Sequence, residues 1–195
     1  MRFLSCRVCV YRENSFISRT RLCFFVGLLN LCAMRTLRWE NQVSVYTVDE
    51  LGESYRRLYE LAYGAAREAY APYSRFCVGA ALLLENGEIV CGNNQENAAY
   101  PSGLCAERTA LFYAGARFPD VPVAVLAIAA LKAGKRTDSV TPCGACRQVM
   151  LEMERRHGRP IRVMLCGEKE VYEFACVADL LPFSFSDEDL VSRQG

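Results

Sequence analysis

The run "VPVAVLAIAALKA" at 121–133 constrains the fold of this chain more than any other stretch. A strand with one wet face alternates apolar and polar residues, whereas consecutive apolar residues mark a strand buried on both faces. Such a strand needs cover above and below, and the flanking segments supply it. Thr47 followed by Glu50 is a capping-box signature. Leu51, Tyr55, Leu58, Ala62, Ala65, Ala66 and Ala69 then recur at helical spacing until Pro72 stops the helix. Two short apolar runs flank Asn86-Gly87, a hairpin signal. "LCAERTALFYAGARF" and "PCGACRQVMLEMERRHG" have helical composition, the second ending at Gly158 and Pro160. "IRVMLC" and "VYEFACV" read as strands around a polar turn, and a last short helix follows Ser186 as N-cap. The order helix, strand, strand, helix, strand, helix, strand, strand predicts an α/β protein. One mixed five-stranded sheet lies between helices in three α/β/α layers.

Composition narrows the function classes. The net charge of +1 hides an asymmetry: residues 1–46 hold seven arginines against two glutamates, a local +5. The other 149 residues hold 16 basic and 20 acidic groups, or −4. An acidic domain is a poor polynucleotide groove. Residues 1–46 therefore read as a leader, an extension or a misassigned start ahead of Met34, and 47–195 as the domain. The apolar segment at 22–34 is short for a transmembrane helix. Eleven cysteines, an odd number, fit poorly with a complete disulfide framework. Cys77, Cys91, Cys166 and Cys176 fall in apolar runs, where a thiol usually serves as a small core group. Reduced thiols point to a reducing compartment, the cytoplasm.

The chemistry concentrates in two places. "TPCGACRQ" puts Cys143 and Cys146 three apart at a helix start, so both sulfurs can face one point. The positive end of the helix favours thiolate there. Cys105, near another helix N-terminus, can be a third ligand, and three protein ligands with an open position describe a catalytic zinc. A thioredoxin-like redox pair shares the Cys-x-x-Cys spacing, and a structural zinc site would want a fourth ligand. His157, the only histidine, stands roughly 16 Å along the same helix, out of reach. Glu107, two residues after Cys105, suits a carboxylate that moves protons of a zinc-activated water. Arg108 suits hydrogen bonding to ligand sulfurs, because three thiolates leave Zn²⁺ with a net negative charge.

Taken together, "FCVGAALL", "NNQENAAYP", "CAERTAL", "PCGACRQVM" and the closing "LLPFSFSDEDL" resemble the small homotetrameric cytidine deaminase family over residues 48–191. Zinc deaminases carry His-x-Glu with Pro-Cys-x-x-Cys, or a three-cysteine variant, and this chain has Cys105 in the histidine's place. The resemblance implies a hydrolase of pyrimidine salvage that turns cytidine and deoxycytidine into uridine and deoxyuridine with release of ammonia. It implies Zn²⁺ on Cys105, Cys143 and Cys146. Glu107 would serve as the proton carrier towards N3 of the base. It further implies that Asn94 and Glu96 bind the ribose 3′-hydroxyl and that Phe76 packs on the base. Ala98 and Tyr100 would face a neighbouring subunit's sugar, and Phe185 would close an adjacent site in a homotetramer with shared active sites. Gln95, where an aliphatic residue is usual, and the bulky Phe183 depart from the commonest pattern. Rival readings are a same-fold deaminase of another cytosine compound, such as the blasticidin type, a polynucleotide editor, or an inactive zinc-stabilised binding module. No nucleic-acid polymer and no stable membrane association are expected.

Overall fold

The computed structural model describes residue 36 and residues 38–190. The chain divides into two units, Met1–Asn41 and Gln42–Gly195. Most of the first lies outside the described residues, and with it the leader expected there. The second unit is one seven-stranded sheet in the spatial order β1-β7-β6-β4-β2-β3, with β5 attached to β4. The strands are β1 (Val43–Thr47), β2 (Phe76–Leu84), β3 (Ile89–Asn93), β4 (Val123–Lys132), β5 (Lys135–Arg136), β6 (Arg162–Cys166) and β7 (Glu170–Phe174). The helices are α1 (Glu53–Arg67), α2 (Ala106–Arg117), α3 (Gly144–His157) and α4 (Asp187–Leu190). Among the described residues, no helix is long and apolar enough to cross a membrane.

All five strands expected from the apolar runs are present, and the sheet has two more. β1 pairs antiparallel with β7, and β5 pairs with the end of β4. The first is a mostly exposed edge strand with no buried face to write into its sequence, and the second spans two residues. β1 also draws Val43–Tyr46, grouped by charge with the front segment, into the sheet. Its pairing depends on the free edge of β7 rather than on local pattern.

The apolar run at 121–133 becomes β4, with β6 parallel on one side and β2 antiparallel on the other. Its side chains alternate between two cores. Val123, Leu126 and Ile128 pack with Leu111 of α2 and Met150 of α3. Val125, Ala127 and Ala129 pack with Leu58, Ala62 and Ala66 of α1. That is the α/β/α layering, with α2 and α3 together on one face.

Local signals behave unevenly. Glu50 reaches back to the N–H and hydroxyl of Thr47 at 2.8 and 2.9 Å, yet this box serves a single 3-10 turn, Val48–Glu50. α1 starts afresh at Glu53 with Gly52 as N-cap. Its buried face includes Tyr59 and Tyr63, whose hydroxyls donate to the carbonyls of Gly167 and Cys166, each at 3.0 Å. The hairpin turns at Asn86-Gly87, where Gly87 takes φ 87° and the Asn86 side chain accepts from the Glu88 N–H. Of the four cysteines expected in the core, Cys166 is fully buried, Cys77 and Cys176 are half-buried, and Cys91 is exposed. An apolar run does not say which of its alternating positions faces out, and edge strand β3 turns Cys91 to solvent.

Two glycines set how close the helices come. A Cβ on Gly79 would lie 2.0 Å from the Ala62 carbonyl oxygen of α1. One on Gly92 would lie 2.6 Å from the Ala110 nitrogen of α2. Backbone thus packs on backbone, and the position of α2 on the sheet is set at β3.

Candidate active site

The N-termini of α2 and α3 converge. Cys105 is the N-cap of α2 and Cys143 the N-cap of α3, both in extended backbone, and Cys146 lies in the first turn of α3. The chain enters α2 through Leu104, which exchanges backbone hydrogen bonds of 2.9 Å with Gln95 beyond β3. It enters α3 through Pro142, whose carbonyl accepts from Arg147 Nε at 2.9 Å. A helix start leaves backbone N–H groups unpaired and positive, which favours thiolate.

The three Sγ atoms lie within 4.8 Å of one another, the one such ligand group of three or more among the described residues. Cys105 to Cys143 measures 3.9 Å and Cys143 to Cys146 measures 3.5 Å. Tetrahedral zinc with bonds of roughly 2.3 Å holds its sulfurs roughly 3.8 Å apart. The thiols therefore fit a zinc ion. His157 is elsewhere: its ring nitrogens lie 3.2 and 3.1 Å from the carbonyl oxygens of Met153 and Pro119.

The electrostatics around the sulfurs are divided. Burial pushes the Cys143 thiol up, but the backbone N–H and thiol of Cys146, with Cys105, outweigh it and bring the thiol below its ordinary value. Cys146 is fully buried, and burial together with the Glu107 charge pushes its thiol up. Glu107, 4% exposed in the first turn of α2, is a rare buried carboxylate. Burial raises its proton affinity against its own backbone N–H, the Cys146 thiol and the Arg108 charge, which lower it. Arg108 Nη2 donates to Cys105 Sγ at 3.3 Å, and its Nε is buried with no hydrogen-bond partner. The Cys105 contact is the main reason its guanidinium holds its proton more firmly than usual.

A cleft of about 490 Å³ opens beside Cys105 and Arg108, within the range of small-molecule sites. Asn94, Glu96 and Tyr100 line it as well. The Asn94 amide donates to the Phe76 carbonyl at 2.9 Å and accepts from the Val78 N–H at 2.7 Å. Tyr100 stands 78% exposed at the rim, with its ring edge-on to Tyr73. Three of the six residues expected at the substrate do not line this cleft, and neither do Glu107, Cys143 and Cys146. Phe76 is half-buried at the start of β2, Ala98 is exposed, and Phe185 is exposed with its carbonyl held by the Gln148 side chain. The cleft also brings in Tyr73 and Ser74, which sequence reasoning passed over. Their one signal is the proline before them, read only as a helix stop.

A three-thiol centre with a buried carboxylate beside it, on an α/β/α sheet, is the arrangement of a metal-assisted hydrolytic site. Residues 53–157 match the family model described as the cytidine and deoxycytidylate deaminase zinc-binding region. The cytidine deaminase of Halalkalibacterium halodurans is 47% identical over 126 residues, 64% of this chain and 89% of that protein. That of Sporosarcina psychrophila is 46% identical over 127 residues, 65% of this chain and 87% of its own length. The solved cytidine deaminase from Burkholderia pseudomallei superposes with a TM-score of 0.57 at 39% identity, covering 69% of this chain and all of that one. The enzyme from Mycobacterium tuberculosis superposes at 0.55 with 32% identity, covering 69% and 99%. The chain belongs to the cytidine and deoxycytidylate deaminase family.

Proposed function

We propose that this chain is a zinc-dependent enzyme that hydrolyses cytidine and deoxycytidine to uridine and deoxyuridine, releasing ammonia. The observation that carries this reading is the meeting of three thiols with a nearly inaccessible carboxylate at two helix starts. Cys105, Cys143 and Cys146 would hold the metal. When bound, zinc supplies the Lewis acidity that makes water a nucleophile near neutral pH.

Glu107 moves the protons. Water attacks C4 of the base as Glu107 accepts its proton; Glu107 passes that proton to N3. A second proton, from the new hydroxyl, leaves through Glu107 with the departing amine, so ammonia and the 4-oxo base result. Burial suits the carboxylate to both directions, because a raised proton affinity brings it nearer the working pH. Arg108 offsets the surplus negative charge of three thiolates through its bond to Cys105. Asn94 and Glu96 read the sugar 3′-hydroxyl with an amide and a carboxylate.

The exposure of Tyr100, Ala98 and Phe185 supports the finer reading that a neighbouring subunit completes each site within a homotetramer. Free thiols at the centre suit a reducing compartment, the cytoplasm. The compact unit from Gln42 onward, with β1 paired to β7, supports a catalytic domain that takes in Val43–Tyr46 as well as 47–195. The direct test is the fall in cytidine absorbance with purified protein beside a metal analysis. Stoichiometric zinc with cytidine left untouched would overturn the reading.

A further inference from the structure

We propose that Ser74 is a positioning residue which aims Glu96 at one sugar hydroxyl; the inference rests on the nucleoside reading of the cleft. Three donors hold the Glu96 carboxylate. The N–H groups of Tyr73 and Ser74 reach Oε2 at 2.9 and 3.2 Å, and the Ser74 hydroxyl donates to Oε1. Consecutive backbone N–H groups around an anion form a nest. The same Ser74 oxygen accepts from the Phe76 N–H at 3.0 Å. One hydroxyl therefore ties the carboxylate to the first residue of β2.

The surrounding turn is laced in the same sense. Glu96 N–H donates to the Tyr70 carbonyl at 2.8 Å, and Arg75 N–H donates to the Ala71 carbonyl at 3.0 Å. Arg75 takes φ 56°, a left-handed conformation unusual for a side chain of its size. The donors, the Ser74 hydroxyl first, also hold the carboxyl below its ordinary value, so Glu96 is charged.

Counting acceptor sites gives the consequence. A carboxylate offers about four lone-pair positions. Three face Tyr73 and Ser74, which leaves roughly one for a ligand hydroxyl. The direction of that last acceptor depends on Oε1 staying on Ser74. Without the hydroxyl, Oε1 is released, and the carboxylate is free to turn about its nest contacts on Oε2. Cys105 caps α2 and Glu107 lies in its first turn, neither in hydrogen-bond contact with Ser74, so the loss falls on sugar recognition rather than on proton transfer.

The test compares zinc-loaded full-length enzyme with its S74A and S74T variants on cytidine and 3′-deoxycytidine. For S74A, KM for cytidine should rise roughly tenfold, the size of one charge-assisted hydrogen bond, with kcat within about twofold. S74T keeps a hydroxyl and should return KM to within about twofold of the parent. On 3′-deoxycytidine, S74A and the parent should agree within about twofold. The carboxyl carbon of Glu96, followed by NMR titration and assigned with E96Q, should titrate higher in S74A. An equal rise in KM on both substrates, or a fall in kcat at unchanged KM, overturns the positioning role. So does an unchanged KM in S74A where the parent depends strongly on the 3′-hydroxyl. A parent indifferent to the 3′-hydroxyl, with the Glu96 titration still moved in S74A, refutes the sugar reading itself.

Discussion

Replacing Gly92 with alanine tests whether backbone contact between α2 and the sheet sets the geometry of the thiols. The new Cβ would lie 2.6 Å from the Ala110 nitrogen, 2.8 Å from the Ala106 carbonyl oxygen and 3.0 Å from the Ala110 Cα. All three are helix backbone, so no rotamer change relieves them. The nearest contact is roughly 0.8 Å short of ordinary van der Waals separation, and α2 has to move by about that much. Cys105 caps α2, which carries Glu107, whereas Cys143 caps α3 and Cys146 lies in its first turn. The displacement is thus delivered to the 3.9 Å separation between Cys105 and Cys143. Overpacking of this kind costs about 1–3 kcal/mol, a fall in Tm of roughly 2–12 °C for a domain of this size. A displacement near 1 Å at reacting groups costs about a hundredfold in rate. Calorimetry, zinc release to a competing chelator and cytidine turnover measure the three effects. G79A is the control, because its clash of 2.0 Å with the Ala62 carbonyl oxygen falls on the α1 layer. It should destabilise at least as much while keeping zinc. A G92A protein with parental Tm, zinc retention and turnover would refute the reasoning, and so would equal loss of zinc in both variants.

Three further outcomes are expected. E107Q should fold and bind zinc stoichiometrically but lose turnover by about 10²–10⁴-fold, since it removes proton transfer and little else; full activity would remove Glu107 from the mechanism. Burial raises the Glu154 carboxyl above its ordinary 4.5, against the N–H groups of Ile161 and Val177 that lower it. A raised folded-state value favours the protonated carboxyl in the folded state. Its stabilising contribution is complete below pH 4.5 and is lost as pH rises through the folded-state value. The Tm difference between the parent and E154Q should therefore shift against the parent across that window, and a constant difference would contradict it. Sedimentation should give a tetramer, and a fully active monomer would exclude shared sites.

The helices and the five main strands were legible because their signals are local. Helical spacing, apolar runs, an Asn-Gly turn and a Cys-x-x-Cys at a helix start each span a few residues. The capping box shows the limit of local reading: Thr47 and Glu50 bond as expected, but the chain breaks at Gly52 before the real helix. The added strands were illegible because β1 exists through its partner β7 and β5 through β4. The two tyrosines of α1 were illegible as core for the same reason. Their hydroxyls are satisfied by carbonyls 108 and 103 residues away.

By itself the sequence singled out the candidate donors, Cys105, Cys143 and Cys146 with Glu107, because Cys-x-x-Cys and Cys-x-Glu at two helix starts limit what chemistry such groups can do. Only the tertiary structure decided that sulfurs 38 residues apart meet at 3.9 Å. It also decided that Glu107 is buried, and that Ser74 and the 73–74 amides hold Glu96. Those facts depend on how α2 and α3 pack on one face of the sheet and how the β2 turn folds over the end of β3. Such contacts are set by close packing between distant segments, and no local pattern records them.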